Sequence, residues 1–245
     1  MICKLCGSDK KLIEAHIIPR SFHRIKPNEK DPIRLITNVE GRYTQKVPKG
    51  VYDATIVCED CERRFSSWDD YGDEIFLKSW DKFEELVHHG EVIGYSLPEY
   101  DCPKLKLFFL SVLWRAAVSS HVMFASIDLG PREPILRKSI LNSDPGDIDY
   151  FGVVLQAFDS TEVGMLNPHP ERFSGLRFCR FYLSHVIAFI KVDSRRFDGL
   201  FRSMALGSEK SLKLAQKNYL TSPERLIMKK LVVADKEKVG KKRQT

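Results

Sequence analysis

Short apolar runs in the first sixty residues predict strands. Residues 12–18 and 51–57 are each rich in Ile, Val or Leu, and Pro19 ends the first run. The stretch between them, residues 24–50, is polar and contains many Lys, Pro, Asn and Gly residues. Because loops of this length inside a compact domain are often functional, we expect a surface loop there, with a short hairpin at residues 40–41.

From about residue 61 onward, apolar residues recur at steps of three and four, which indicates an amphipathic helix. The pattern predicts that this helix is broken near Gly72 and ends at His88 and His89. These two histidines would interact favourably with the negative, C-terminal end of the helix dipole. Residues 90–101 contain Gly and Pro between two helical patterns. They predict a boundary in the chain.

The second half contains both helical and strand-like patterns. Residues 103–118 are apolar almost all round, which predicts a buried central helix in which Arg115 needs a cap or an acidic partner. Residues 134–141 predict a further helix. Residues 150–158 and 178–192 are rich in Val, Ile, Phe and Tyr and are typical of strands.

Two C-x2-C pairs bracket the predicted strands. They are Cys3 and Cys6 in CKLC, and Cys58 and Cys61 in CEDC. Each pair can present two thiolates to one cation, so the two pairs supply the four sulfur ligands of a structural Zn²⁺ site. The alternatives are four unrelated buried cysteines or two disulfides. Charged neighbours argue against simple burial, and the lack of an export signal argues against disulfides.

The cysteine pairs and the predicted elements together describe a treble-clef zinc unit. Two strands lie between the cysteine turns, and a helix begins on the last ligand. We therefore predict an α+β protein with two domains. Residues 1–90 form the zinc-stapled domain, and residues 91–245 form a mainly helical domain with a small β-sheet.

Length and composition are typical of a globular protein. A chain of 245 residues that is 43% hydrophobic can form one large domain or two modest ones. The start MICKLCGSDKK lacks the apolar stretch of a signal peptide, and no segment approaches the ~18 consecutive apolar residues of a membrane span. We expect a cytoplasmic protein that does not interact with membranes.

Charge is distributed unevenly, although the formal net charge is only +6. Residues 1–50 carry 11 Lys or Arg against 5 Asp or Glu, whereas residues 51–100 carry 4 against 13. The basic ends favour a polyanion as a partner, but the acidic middle does not. Solvated surface charge without any partner explains the same distribution.

His16 lies between the cysteine pairs in the motif HIIP at residues 16–19, and a second segment runs from Asp53 through the second pair to Glu62. On these motifs, roughly the first 70 residues resemble the zinc-stapled HNH, or ββα-metal, endonucleases. In that family a D-H-I-x-P strand lies between two C-x2-C pairs, and N-L-x-x-L-C-x-x-C-H/N closes the unit. The resemblance does not reach the rest of the chain.

The resemblance implies metal-dependent hydrolysis of a phosphodiester. His16 would take a proton from water, and Mg²⁺ or Mn²⁺, separate from the structural Zn²⁺, would stabilise charge on the leaving oxygen. In the same register, Asp53 replaces the Asn that orients the base, Glu62 replaces the helix His of the metal site, and Ala15 replaces a metal-binding Asp or His. Asp53 and Glu62 both keep the oxygen donors that such cations prefer.

Basic residues follow the HIIP motif directly. Arg20 and Arg24 can hold backbone phosphates, and His23 is a second candidate for a metal or a phosphate. We therefore expect a nucleic-acid partner, with DNA favoured over RNA. A rival interpretation is a non-catalytic zinc module that binds nucleic acid or a protein, and the apolar C-terminal region would provide the surface for a protein partner.

Overall fold

The computed structural model describes most of the chain and has a mixed α+β architecture. The described residues are 1–23, 34–35, 44–47, 50–161, 163 and 165–242. The predicted hairpin at residues 40–41 and the predicted phosphate ligand Arg24 lie outside them.

Two small antiparallel strand pairs precede the second cysteine pair. They are β1 (Ala15–His16) with β4 (Tyr52–Asp53), and β2 (Arg34–Leu35) with β3 (Gln45–Lys46). Strands β1 and β4 lie inside the two predicted apolar runs, but each is only two residues long. Beyond them the contact continues less regularly, since Leu12 bridges to Cys58 and the Ile13 N–H donates to the Val57 carbonyl.

Helix α1 (Glu59–Asp73) begins immediately after Cys58, which is its N-cap residue. Acidic residues in its first turn stabilise the positive end of the helix dipole. The regular α-helix ends at Asp73, one residue after Gly72, which agrees with the predicted break near Gly72. A Cβ atom on Gly72 would lie 2.8 Å from the ring of Phe108, so the glycine permits a close helix–helix approach.

The prediction that this helix reaches His88 and His89 is wrong. After one π-helical turn (Glu74–Lys78), the chain forms the hairpin of β5 (Glu84–His88) and β6 (Glu91–Leu97). His89 lies in the tight turn with a φ of 50°. Strand β5 is a mostly exposed edge strand, so its apolar residues follow no buried face and give no clear strand pattern.

A seven-stranded sheet dominates the second half of the chain. Its other strands are β7 (Val153–Phe158), β8 (His169–Phe173), β9 (Leu176–Leu183), β10 (Val186–Lys191) and β11 (Leu212–Lys217). The strand order is β5-β6-β11-β7-β10-β9-β8, and only β11 and β7 pair in parallel. The prediction of a mainly helical region with a small sheet is therefore wrong, since this part of the protein is β-rich.

Burial on both faces explains why the sheet is larger than its sequence pattern predicts. Along β7, Val153 and Leu155 pack into the main core, whereas Val154 and Phe158 pack on the opposite face. Strands buried on both faces are continuous apolar runs that show no alternation. The run at residues 178–192 consequently contains two strands, β9 and β10, joined by a tight turn.

The remaining helices are α2 (Cys102–Val118), α3 (Glu133–Asn142), α4 (Gly199–Met204) and α5 (Pro223–Lys242). Of these, α2, α4 and α5 pack against the sheet, and α3 packs against α2. Helix α2 is buried along most of its length, as predicted, and packs between α1 and the sheet. One cluster of buried side chains joins the cysteine region, α1, α2 and the inner face of the sheet. Within the described ranges, no helix has the length and apolar composition to cross a membrane.

Candidate functional site

The first cysteine pair lies in a tight knuckle at the start of the chain. The Cys3 N–H donates to the Ser8 carbonyl at 3.0 Å, and the Gly7 N–H donates to the Cys3 carbonyl at 2.9 Å. Gly7 has a φ of 74°, a backbone conformation that residues with a Cβ rarely adopt. The knuckle therefore depends on glycine directly after Cys6.

The two cysteine pairs come together in the structure, although more than fifty residues separate them in the sequence. Their Sγ atoms all lie within 4.8 Å of one another. The Cys3 and Cys61 sulfurs are 3.7 Å apart, and the Cys6 and Cys58 sulfurs are 3.9 Å apart. Four sulfurs at about 2.3 Å around a tetrahedral cation would be about 3.8 Å from one another. The cluster could therefore hold a metal ion such as zinc.

The protonation of these thiols also fits a cation site. Burial opposes the Cys6 thiolate, but hydrogen bonds involving Ser8 outweigh it and lower the pKa of Cys6 to about 6. Burial raises the pKa of Cys61. Because a metal ligand must be a thiolate, a cation is needed to hold Cys61 in that form.

His16 is half-buried and lies on β1. In the antiparallel pair, His16 lies opposite Tyr52, and its neighbour Ala15 lies opposite Asp53. Residues directly opposite each other share a face of the pair, and successive residues alternate between faces. Asp53 and His16 are therefore on opposite faces of the β1–β4 pair.

The Asp53 carboxylate is fully occupied by the chain itself. One oxygen accepts from the N–H and the hydroxyl of Thr55 at 2.8 and 2.6 Å. The other accepts from the Ser119 hydroxyl and from the N–H and hydroxyl of Ser120, at 2.8 to 3.0 Å. Burial acts to raise the pKa of Asp53, but these hydrogen bonds outweigh it and lower the pKa far below its usual range. Asp53 thus ties β4 to the chain after α2.

Glu62, in contrast, is beside His16. It lies in the first turn of α1, directly after Cys61, and a hydrogen bond from the His16 backbone reaches its carboxylate. Burial raises the pKa of Glu62, and Arg115 offsets part of this rise. Its Oε2 atom is buried and has no hydrogen-bond partner among the described residues.

A buried ion pair holds this region together. The Arg115 guanidinium, fully buried on α2, donates to both oxygens of Asp69 on α1 at 2.8 and 2.6 Å. It also donates to the His16 carbonyl at 2.7 Å. The predicted need of Arg115 for an acidic partner is confirmed. The pair links α1, α2 and β1, and it thereby fixes the backbone that presents His16.

His23 lies at the end of the short 3₁₀ helix Arg20–His23, close to His16. Burial lowers the pKa of His23 to about 4, and a hydrogen bond to the Ile18 backbone opposes this effect. The ring Nε2 is buried and has no partner within the described part of the chain. Nδ1 therefore makes the Ile18 bond, which leaves Nε2 as a free acceptor.

His121 is a further member of this group that no sequence motif indicates. It follows the two serines that hold Asp53, and its Nδ1 accepts from the Met123 N–H at 3.2 Å. Burial lowers the pKa of His121, and the charge of Asp53 opposes this shift. The charges of His121 and His16 both act on His23. Three histidines from separate segments therefore lie near one another.

The structure thus brings together His16, His23 and Glu62 beside the cysteine cluster, and it separates Asp53 from them. Arg20 is exposed on the same 3₁₀ helix, where its side chain packs over Gly50. Among the described residues, only the four cysteines place three or more His, Cys, Asp or Glu ligand atoms within 4.8 Å. No protein-family model, no curated protein and no solved structure matches this chain.

Proposed function

We propose that this protein is a metal-dependent, HNH-like endonuclease that hydrolyses phosphodiester bonds in nucleic acid. The observation that carries the proposal is the setting of His16. Near it are two buried polar atoms without a partner among the described residues, Glu62 Oε2 and His23 Nε2. Buried polar groups are almost always hydrogen-bonded, so two such atoms beside one histidine indicate a ligand. The four cysteines hold zinc and give the unit a treble-clef form.

In this proposal, each residue of the site has a separate role. His16 takes the proton from the attacking water. Glu62 and His23 offer one oxygen and one nitrogen to a divalent cation such as Mg²⁺ or Mn²⁺, which supplies electrostatic stabilisation of the leaving oxygen. If such a cation were bound, Glu62 and His23 would hold it from the protein side, and phosphate oxygens of the substrate would supply further oxygen ligands. Asp53 has a structural role.

The substrate in this proposal is nucleic acid, with DNA favoured over RNA. Arg20 is exposed directly after the HIIP motif, and an arginine fork matches phosphate oxygens well. The residue at the motif position before His16 is Ala15, which is fully buried and offers no ligand atom. The cation therefore relies on Glu62 and His23.

A second candidate is a metal-stapled module that binds nucleic acid without cutting it. The fully occupied carboxylate of Asp53 favours this candidate, because it removes one of the oxygen donors that the motif register offers. Both candidates keep the cysteine cluster and Arg20. They differ in whether His16 performs chemistry.

Cleavage assays with matched variants distinguish the two candidates. The parent, His16→Ala, Glu62→Gln and the control His88→Ala are compared on DNA and RNA in Mg²⁺ and in Mn²⁺, at equal zinc content. His88 is an exposed histidine on β5 and tests the loss of an unrelated imidazole. A general base contributes about 10²- to 10⁴-fold, so we expect a loss of that size in His16→Ala and none in His88→Ala.

The Glu62→Gln variant tests the cation site separately. It should need a higher concentration of Mn²⁺ for half-maximal cleavage, while it retains its zinc. If the parent cuts no substrate in either metal but binds nucleic acid with a steep salt dependence, the nuclease proposal is wrong and the binding module replaces it.

A further inference from the structure

A cavity of about 510 Å³ lies beside the 3₁₀ helix that follows β1. It lies between Arg20 and Ser21 on that helix, the π-helical turn after α1, and the β9–β10 turn. Ligand cavities in proteins usually measure about 300 to 1,000 Å³. Arg20 follows His16 by four residues, so their Cα atoms are at most about 14 Å apart.

The floor of the cavity holds a polar group without a partner. His185 is only 2% exposed, and its Nε2 has no hydrogen-bond partner among the described residues. Burial lowers the pKa of His185 to about 4, so the ring is neutral at pH 7. The preceding residue, Ser184, has a φ of 57°, which is typical of the two-residue turn that joins β9 and β10. A buried polar atom without a partner beside a cavity indicates a ligand.

The walls beside His185 are aromatic. The Trp80 and His185 rings meet edge to face with centroids 4.3 Å apart. Phe76 is fully buried and also lines the cavity. A flat ring can therefore pack on an aromatic wall while one of its edge atoms satisfies His185 Nε2.

Arg20 adds to the cavity lining a positive charge that has no acidic partner among the described residues. Lys78 and Asp73 both line the cavity and pair with each other at 2.7 Å, so their charges cancel. Arg20 is exposed and makes no hydrogen bond or ion pair with the described residues. A guanidinium in this state can bind a phosphate with two parallel hydrogen bonds.

We propose that this cavity binds a nucleotide, with the base against Trp80 and His185 and the phosphate on Arg20. A nucleobase is flat and carries donors and acceptors along its edge, which suits an aromatic wall with one buried imidazole. The Asp73 carboxylate, once neutralised by Lys78, can accept from ribose hydroxyls. This site shares Arg20 with the proposed nucleic-acid surface, but Trp80 and His185 belong to the cavity and have no role in the proposed cleavage. The nucleotide is either free or part of a nucleic-acid strand.

Tryptophan fluorescence reports on this site directly. The chain has three tryptophans, and the other two, Trp68 and Trp114, are buried at 6% and 0% exposure. The zinc-loaded full chain is titrated with each mononucleotide, with the matching nucleosides, with inorganic phosphate and with a short oligonucleotide. We expect saturable quenching by a mononucleotide below about 1 mM, and we expect Trp80→Phe to lose the signal.

Two variants test the assigned contacts. His185→Phe should weaken nucleotide binding at least tenfold, and its unfolding temperature shows whether the fold is intact. Arg20→Ala changes an exposed residue, so it should fold normally, and it should weaken binding of the nucleotide but not of the nucleoside. If the oligonucleotide quenches the tryptophan fluorescence and mononucleotides do not, the cavity binds a nucleotide that is part of a nucleic-acid strand. If mononucleotides quench it and the oligonucleotide does not, the cavity binds a free nucleotide.

Three results would overturn the proposal: no saturable quenching by any nucleotide form, equal affinity of Arg20→Ala and the parent for the nucleotide, or equal affinity of a folded His185→Phe. The His16→Ala variant separates this site from the nuclease centre. It should bind the nucleotide as the parent does, whether or not the parent cuts nucleic acid.

Discussion

At the scale of single residues, Asp53 shows how a carboxylate at a motif position can serve the fold. Its oxygens accept five hydrogen bonds from Thr55, Ser119 and Ser120. In Asp53→Asn, an amide donor would face donor groups, and buried donors would lose their acceptor. We expect this variant to lose about 2–4 kcal/mol of unfolding free energy, measured by urea denaturation.

The matched control for this prediction is Asp81→Asn, because Asp81 is exposed. It should unfold at the same urea concentration as the parent. If Asp53→Asn is as stable as the parent and yet loses cleavage, then Asp53 belongs to the reaction and the structural role is wrong.

His185 makes stability depend on pH. Its pKa is lowered to about 4 from an ordinary value of 6.5, so the unfolded chain binds a proton more readily than the folded chain. The stability that this neutral ring contributes is present above pH 6.5 and is lost as the pH falls from 6.5 to 4. A loss on the order of 2 kcal/mol per chain is expected over this range.

Comparison with His185→Phe isolates this effect from that of other groups, because phenylalanine does not titrate. Urea denaturation at pH 7 and pH 5 should show a smaller loss of stability in the variant than in the parent. Equal losses would mean that the unfolded and folded states protonate His185 alike.

Part of the site could be predicted from residues alone. The cysteine cluster follows from the spacing of the two C-x2-C pairs, whereas Glu62 is indicated only by its register in the HNH-like motif. The contributions of Asp69, Arg115 and His121 could not be predicted as a group. They reach His16 or His23 only through the packing of α1 against α2, and no local pattern encodes that contact.

At the scale of elements, α1 and α2 approach closely at Gly72. A Cβ there would lie 2.8 to 2.9 Å from atoms of the Phe108 ring. Alanine is favoured over glycine in a helix by about 1 kcal/mol, but overpacking a buried ring costs about 1–3 kcal/mol. We expect Gly72→Ala to lower the unfolding free energy by about 1 kcal/mol, measured by urea denaturation.

The double variant with Phe108→Leu tests the cause of this loss. A smaller side chain at 108 makes room for the added methyl group, so the double variant should lose less than the sum of the two single losses. Strict additivity would show that Gly72 and Phe108 do not interact.

The helices of the second half could be predicted more easily than its sheet. Helix α2 is buried over most of its surface and appears in the sequence as a long apolar run, and α3 lies within one residue of its predicted ends. The sheet is larger than predicted because β7, β9 and β10 are buried on both faces and do not alternate. Edge strand β5 was not predicted for the opposite reason: it is mostly exposed, so it has no buried face that would produce an alternating pattern.

At the scale of the whole molecule, the cysteine cluster and the sheet share one core. Cys3, Phe65, Leu113 and Ile190 belong to the same cluster of buried side chains. A metal ion held by the four cysteines would therefore stabilise the entire chain and not only its first part. We expect a strong chelator to lower the unfolding temperature by on the order of 10 °C, in one cooperative transition.

Cysteine variants provide the controls for this prediction. Cys58→Ser should unfold at a lower temperature that the chelator no longer changes, whereas Cys102→Ser, outside the cluster, should respond as the parent does. An unfolding temperature that is insensitive to the chelator in the metal-loaded parent would contradict a structural metal.

The central claim is that His16 acts as a base beside a cation, and a single-turnover cleavage rate tests it most directly. The parent and His16→Ala are compared in Mn²⁺, with equal zinc content and equal unfolding temperatures. We predict that the parent cuts nucleic acid and that the variant is slower by about 10²- to 10⁴-fold. Equal rates in the two proteins, or no cleavage by the parent, would contradict the claim.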